Sequence, residues 1–162
     1  MIEQVEAELL ALFTTNMSSR INQFYQGEVI VPNKSTLPCL MIYGKKTQVT
    51  AKDTCNDQLT FTLGIRVVNH LMKYVADAGT GNIVKAQLDI KKIFEEINPA
   101  TGLLNINTVL GSLRSNVKGV KYLYNTNISV DYSAIQTGEF FYVQGECELE
   151  AYTDLLKRPP QT

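Results

Sequence analysis

The 162-residue chain is short of the residues from which most catalytic and metal centres are built. It has one histidine, His70, so any Ser-His-Asp or Cys-His pair would have to use that residue. Nothing in the sequence places a serine or cysteine beside it, and no GxSxG elbow is present. The three cysteines, Cys39, Cys55 and Cys147, are odd in number and widely spaced. That excludes a disulfide framework or a CxxC zinc site and fits reduced thiols. Charge of either sign is not in excess: the formal net charge is −1, so no broad basic face grips nucleic acid. No run approaches the roughly 20 apolar residues that cross a bilayer as a helix. The opening MIEQVEAELL is acidic and lacks a basic segment before an apolar run, which argues against a secretory signal. The sequons at Asn16, Asn33 and Asn127 are then chance matches.

What is present describes an ordinary folded domain. Hydrophobic residues make up 44% and charged residues 19% of the chain. At this length folding buries roughly 70% of the extended chain's surface, enough for a core without disulfides or metal. We expect one domain over 1–162, with a loose tail at about 156–162.

Hydrophobic spacing sets out the elements. Val5, Leu9, Leu12, Phe13 and Met17 recur at helical steps and predict a helix over 2–18, with Glu3, Glu6 and Glu8 near its positive end. A loop around Gln26-Gly27 and Pro32-Asn33 follows. Residues 37–50 predict a strand, and the polar run Lys52–Asp57 a projecting hairpin tip. Leu59, Phe61, Leu63, Ile65 and Val67 alternate with mostly polar residues, which predicts a strand with one core face. Asp77–Asn82 is a turn into a helix over 82–98, with Ile83, Ala86, Ile90, Ile93, Phe94 and Ile97 on one side. Asn98-Pro99 stops it. A short helix or turn is expected near 107–116. A closing hairpin pairs a strand through Tyr122, Tyr124, Thr126, Ile128, Val130 and Tyr132 with one whose inner face is Phe141, Val143, Cys147, Leu149 and Ala151. Gln144, Glu146, Glu148 and Glu150 share its outer face, and Gly138 sits in the turn. The order α-β-β-α-α-β-β predicts an α+β fold: an antiparallel sheet of about four strands with helices packed on one face.

Local motifs do not select a chemistry. Gly79-Thr80-Gly81 lacks the third glycine of a dinucleotide fingerprint, that position being Val84, and lacks the Lys-Ser/Thr of a P-loop. Asp53–Asp57 as a calcium loop would need glycine at Gln58 and glutamate at Gly64. The aromatic run Gly138–Val143 faintly resembles an RNA-recognition strand, but the element order is wrong and its outer face is acidic. The row Glu146, Glu148 and Glu150 would repel internally on a solvated face. No cofactor is expected.

Taken together, the amphipathic first helix, Phe24-Tyr25-Gln26-Gly27, Leu37-Pro38-Cys39-Leu40-Met41-Ile42, the long strand Phe61–Val68, the following helix and the closing strand Phe140–Tyr152 resemble a known family. The pattern, over roughly 5–153, is similar to the tail terminator, or tail-completion, proteins of long-tailed bacteriophages. The resemblance implies a non-enzymatic virion protein, made in the host cytoplasm and located in the tail and neck. It implies a hexameric ring on the head-proximal end of the tail tube that stops tube polymerisation and meets neck or head-completion proteins. Its partners would be further copies of itself, the tail tube protein, the neck proteins and DNA passing through without specific binding; no membrane is involved. On this reading Glu146, Glu148 and Glu150 are candidate channel-lining residues. Lys45, Lys46, Lys52, Asp53 and Asp57 are candidate subunit or partner contacts, as is the loop from Gly27 to Ser35. The alternatives are another neck, head-completion or tail-tube component, or a small cytoplasmic enzyme whose site forms only on folding.

Overall fold

A computed structural model describes residues 2–29, 34–53, 56–70, 81–95, 121–123, 131–137 and 140–156. They form two helices and a six-stranded sheet, an α+β fold. Helix α1 spans Ile2–Met17. Its end is written in Thr14, Thr15 and Asn16, whose side chains turn back onto the carbonyls of Leu10, Ala11 and Leu12. Such residues compete with the helix for its own backbone groups and favour termination. Strand β1 is Gln23–Gln26, and a short 3-10 turn follows at Lys34–Thr36. Strands β2 (Cys39–Ala51) and β3 (Asn56–His70) form a long hairpin. Helix α2 spans Gly81–Glu95, and β4 (Lys121–Leu123), β5 (Asp131–Thr137) and β6 (Phe140–Leu156) follow.

Both helices lie on one face of the sheet, as their apolar spacing predicts. Val5, Leu9, Phe13 and Met17 of α1 and Ala86, Ile90, Ile93 and Phe94 of α2 join Leu40, Ile42, Leu63, Ile65, Val67, Val143, Cys147, Leu149 and Ala151 in one core. Removing a side chain such as Phe13 or Phe94 from it would cost about 3–5 kcal/mol. Gly145 lies beneath α2, where a Cβ would come within 2.7 Å of the Phe94 ring, so glycine lets the helix sit this close. Arg20, just past α1, donates from Nη1 to the Lys92 carbonyl at 2.7 Å and so satisfies a carbonyl in the last turn of α2.

The sheet departs from the expected one in count and order. The path runs β1-β2-β3-β6-β4, with β5 also on β6, so there are six strands rather than about four. The expected loop near Gln26 contains β1, which pairs parallel with β2 at its edge rather than antiparallel. Its pairing is fixed by contacts distant in sequence: the Asn22 N–H donates to the Pro38 carbonyl and its Nδ2 to the Leu37 carbonyl. At the end of β1, Gly27 takes φ of +106°, a conformation open to glycine, and donates its N–H to Ile42 O at 2.8 Å. Of the expected strand through Tyr122–Tyr132, the described residues form two strands, β4 and β5, on one edge of β6, and Tyr124, Thr126, Ile128 and Val130 lie outside the described residues. β5 pairs with Phe140–Glu146 and β4 with Glu150–Tyr152. The expectations at Pro32-Asn33, Asp77–Thr80, Asn98-Pro99, 107–116, Gly138 and 157–162 lie outside the described residues.

Candidate functional site

The face away from the helices carries a charge cluster built across three neighbouring strands. Antiparallel pairing sets Arg66 of β3 between Met41 of β2 and Glu146 of β6, and sets Gly64 between Tyr43 and Glu148. Gly64 leaves a gap in the middle strand that the Tyr43 ring fills; a Cβ there would lie 2.6 Å from Tyr43 Cζ. The ring thus crosses β3, and its hydroxyl donates to Glu146 Oε1. The same hydroxyl accepts from Arg66 Nη2 at 2.8 Å, and the guanidinium lies 4.9 Å from the ring centre. Arg66 Nη1 reaches Glu28 at 2.8 Å, tying the segment after β1 to the sheet. Lys45 Nζ sits 2.7 Å from Glu146 and 2.9 Å from Glu148.

Lys45 reaches both carboxylates because of a register shift in β2. Pairing moves from Gly44↔Leu63 to Lys46↔Thr62, so Lys45 is an extra residue bulged out of the ladder. The Gly44 N–H at this irregularity donates 2.8 Å to the Glu6 carboxylate of α1. Gln26 Nε2 donates to the Glu3 carbonyl at 3.0 Å, pinning the same helix end. Glu3, Glu6, Gly44, Lys45, Lys46 and Thr47 line a shallow, open depression of about 360 Å³. Its mixed charges, its openness and a lining without hydrophobic or aromatic side chains make it a poor match for a small-molecule pocket.

The cluster's protonation follows from burial and pairing. Burial, then the bond to Glu146, pushes the Tyr43 phenol well above its usual value, so it stays a donor. Burial alone would raise the Glu146 carboxyl. Hydrogen bonds from Lys45 and Tyr43, with the Arg66 charge, outweigh it and hold Glu146 below the usual carboxylate range. Burial likewise opposes the Lys45 charge, and the two glutamates overcome it and raise the ammonium.

The acidic row is therefore not three bare repelling charges. Glu146 is 19% exposed and shared among Lys45, Arg66 and Tyr43; Glu148, 57% exposed, meets Lys45; Glu150 is exposed. All three do share the face opposite the helices. The five residues expected to make contacts all fall on the β2–β3 hairpin, but Lys45 is turned inward onto β6. Lys46 and Lys52 are exposed, and Asp57 is half-buried opposite Ala51. Asp53 closes the turn: its carboxylate accepts from the Asn56 N–H at 2.6 Å and from Asn56 Nδ2 at 3.2 Å.

Sequence reasoning missed Tyr43, Arg66, Gly64 and Glu28 as parts of one cluster. The signal available was parity, which puts Arg66 and Glu146 on the polar faces of their strands. The bulge that delivers Lys45 has no such mark. His70 ends β3 and meets the Tyr142 ring edge-on at 5.9 Å. Cys39 lies on the same face, opposite Val68, and burial pushes its thiol up to about 11. Cys147 in the core is pushed up to about 12, first by burial and then by Glu146 and Glu148. Neither thiol is primed as a thiolate. Among the described residues no group of three His, Cys, Asp or Glu side chains is arranged to hold a metal ion. No helix among them is long and apolar enough to cross a membrane.

No family model matches the chain, and no curated protein matches it at a significant level.

Proposed function

We propose that this protein is a structural component of a phage tail, a ring that caps the head-proximal end of the tail tube, ends its polymerisation and joins the neck. The observation that carries the reading is the two-sided sheet. Among the described residues helices cover one face, while the other holds charges mostly compensated within the molecule. A protomer of this kind can present its helices outward and a polar, non-adhesive wall to a channel. Glu148 and Glu150, exposed on that wall, would repel passing DNA, and Glu146 acts mainly within the cluster. The resemblance of the element pattern to tail terminators supports this reading. The β2–β3 hairpin, with Lys46, Lys52 and Asp53 exposed and Asp57 half-buried, supplies a surface for neighbours.

Mass by light scattering and negative-stain microscopy, on the protein alone and mixed with candidate tubes, tests this. Closed rings of limited size, or caps at one tube end, are expected. Open-ended polymers of the protein alone would instead identify a tube component. A strict monomer that ignores tubes would overturn the structural reading and reopen the search for a small-molecule site.

A further inference from the structure

Two stretches of sheet edge that no strand covers among the described residues are complementary. Along β2, β1 pairs only with Cys39–Ile42, and among the described residues no strand covers the same edge from Lys45 to Ala51. Along β6, β5 covers the first part, and the outer edge of β5 itself is uncovered among the described residues. The open edges thus lie at opposite sides and opposite ends of the sheet. β5 is seven residues long, the same length as the stretch Lys46–Lys52 that follows the bulge. A long open edge invites pairing unless it is blunted. Lysines stand only at its ends, at 45, 46 and 52, and Thr47-Gln48-Val49-Thr50-Ala51 between them is uncharged and exposed.

We infer that the β2 edge from Lys46 to Lys52 takes up β5 of a second copy of this chain, an inference that rests on the ring reading. Strand direction agrees. β2, β3, β6 and β5 run alternately, so β5 of one copy arrives antiparallel to β2 of the next. Faces agree too. Thr47, Val49 and Ala51 share the helix side of the sheet with Tyr132 and Ala134, by their pairing with Phe61, Leu59, Asp57, Gly145 and Val143. Matching those sides sets Val49 against Ala134, Ala51 against Tyr132 and Lys52 against Asp131. Val49, 57% exposed in the single chain, gains an apolar neighbour, and the basic end of one edge meets the acidic start of the other. Because the two edges differ, the contact is head-to-tail and repeats until rotation closes it.

The test is cross-linking with a short bis-maleimide in a Cys55→Ser background. A chain carrying both Val49→Cys and Ala134→Cys is expected to give a ladder that ends at the assembly size found by light scattering. Either substitution alone should stay monomeric on the gel. Dimers from Val49→Cys alone would mean β2–β2 pairing and overturn the inference. So would absence of a ladder in protein that scattering shows to be assembled; the ring reading would then survive by another contact. Protein monomeric with and without tubes loses both. Hydrogen exchange on the unaltered chain gives a second readout: the alternate amides of Thr47–Ala51 that point away from β3 should exchange fast in the monomer and several-fold slower in the assembly. Equal protection in both states overturns the pairing.

Discussion

Gly64 shows how a missing side chain can organise a site. Tyr43 reaches Glu146 only by lying across the strand between them, in the space a Cβ would take. Gly64→Ala should therefore destabilise the fold by about 1–3 kcal/mol, since the ring must leave its bonds to Glu146 and Arg66. In a Tyr43→Ala background the same change should reverse sign and stabilise by roughly 0.5–1 kcal/mol, because glycine is a poor strand residue. Denaturant unfolding of the four proteins measures both; equal effects in the two backgrounds would refute the bridging role. Glu146 gives a pH signature. Its folded-state pKa is depressed, so its contribution is complete above the ordinary carboxylate range and is lost as pH falls through the lowered folded value. Glu146→Gln should be less stable than the parent at pH 7, and the difference should shrink through the acid limb. A difference constant from pH 7 to pH 3 would remove the charge from the explanation.

At the scale of elements, what the sequence reveals depends on whether the determinant is periodic. The helices are legible because Val5–Met17 and Ala86–Phe94 repeat at helical steps, and β3 and β6 because apolar residues alternate over nine or more positions. β1 is four residues long and is held by Asn22 against Leu37 and Pro38, partners no local pattern reveals. The bulge at Lys45 is equally silent. Before it the odd residues of β2 face away from the helices, and after it the even ones do, so a constant alternation assigns half the hairpin to the wrong side. That shift separated Lys45 from the other contact candidates and joined it to the acidic row. Glu6 is the support of the shift, accepting the Gly44 N–H. Glu6→Ala should cost about 1 kcal/mol of global stability. The Gly44 amide should also exchange measurably faster, while amides of α2 change only with the global term. An unchanged Gly44 rate would show that the bulge holds itself.

At the scale of the whole molecule, the described helices pack on one side and leave a sheet face whose charge is tuned by position rather than by net count. Glu146 cannot be reversed without setting a lysine against Lys45 and Arg66, so replacing all three glutamates would confuse unfolding with loss of function. Glu148→Lys with Glu150→Lys avoids this, since both are exposed and the Lys45–Glu146 and Arg66–Glu146 pairs remain. Each exchange adds two positive charges, taking the formal net charge of a protomer from −1 to +3. If this face lines a channel, the assembled variant should keep its size by light scattering and should retard duplex DNA that the parent lets pass. That retardation should weaken steeply with salt, as phosphate contacts do. Tails carrying the variant should release DNA more slowly. Normal DNA release from tails shown to contain the variant would place the acidic row away from the channel, whatever the oligomer.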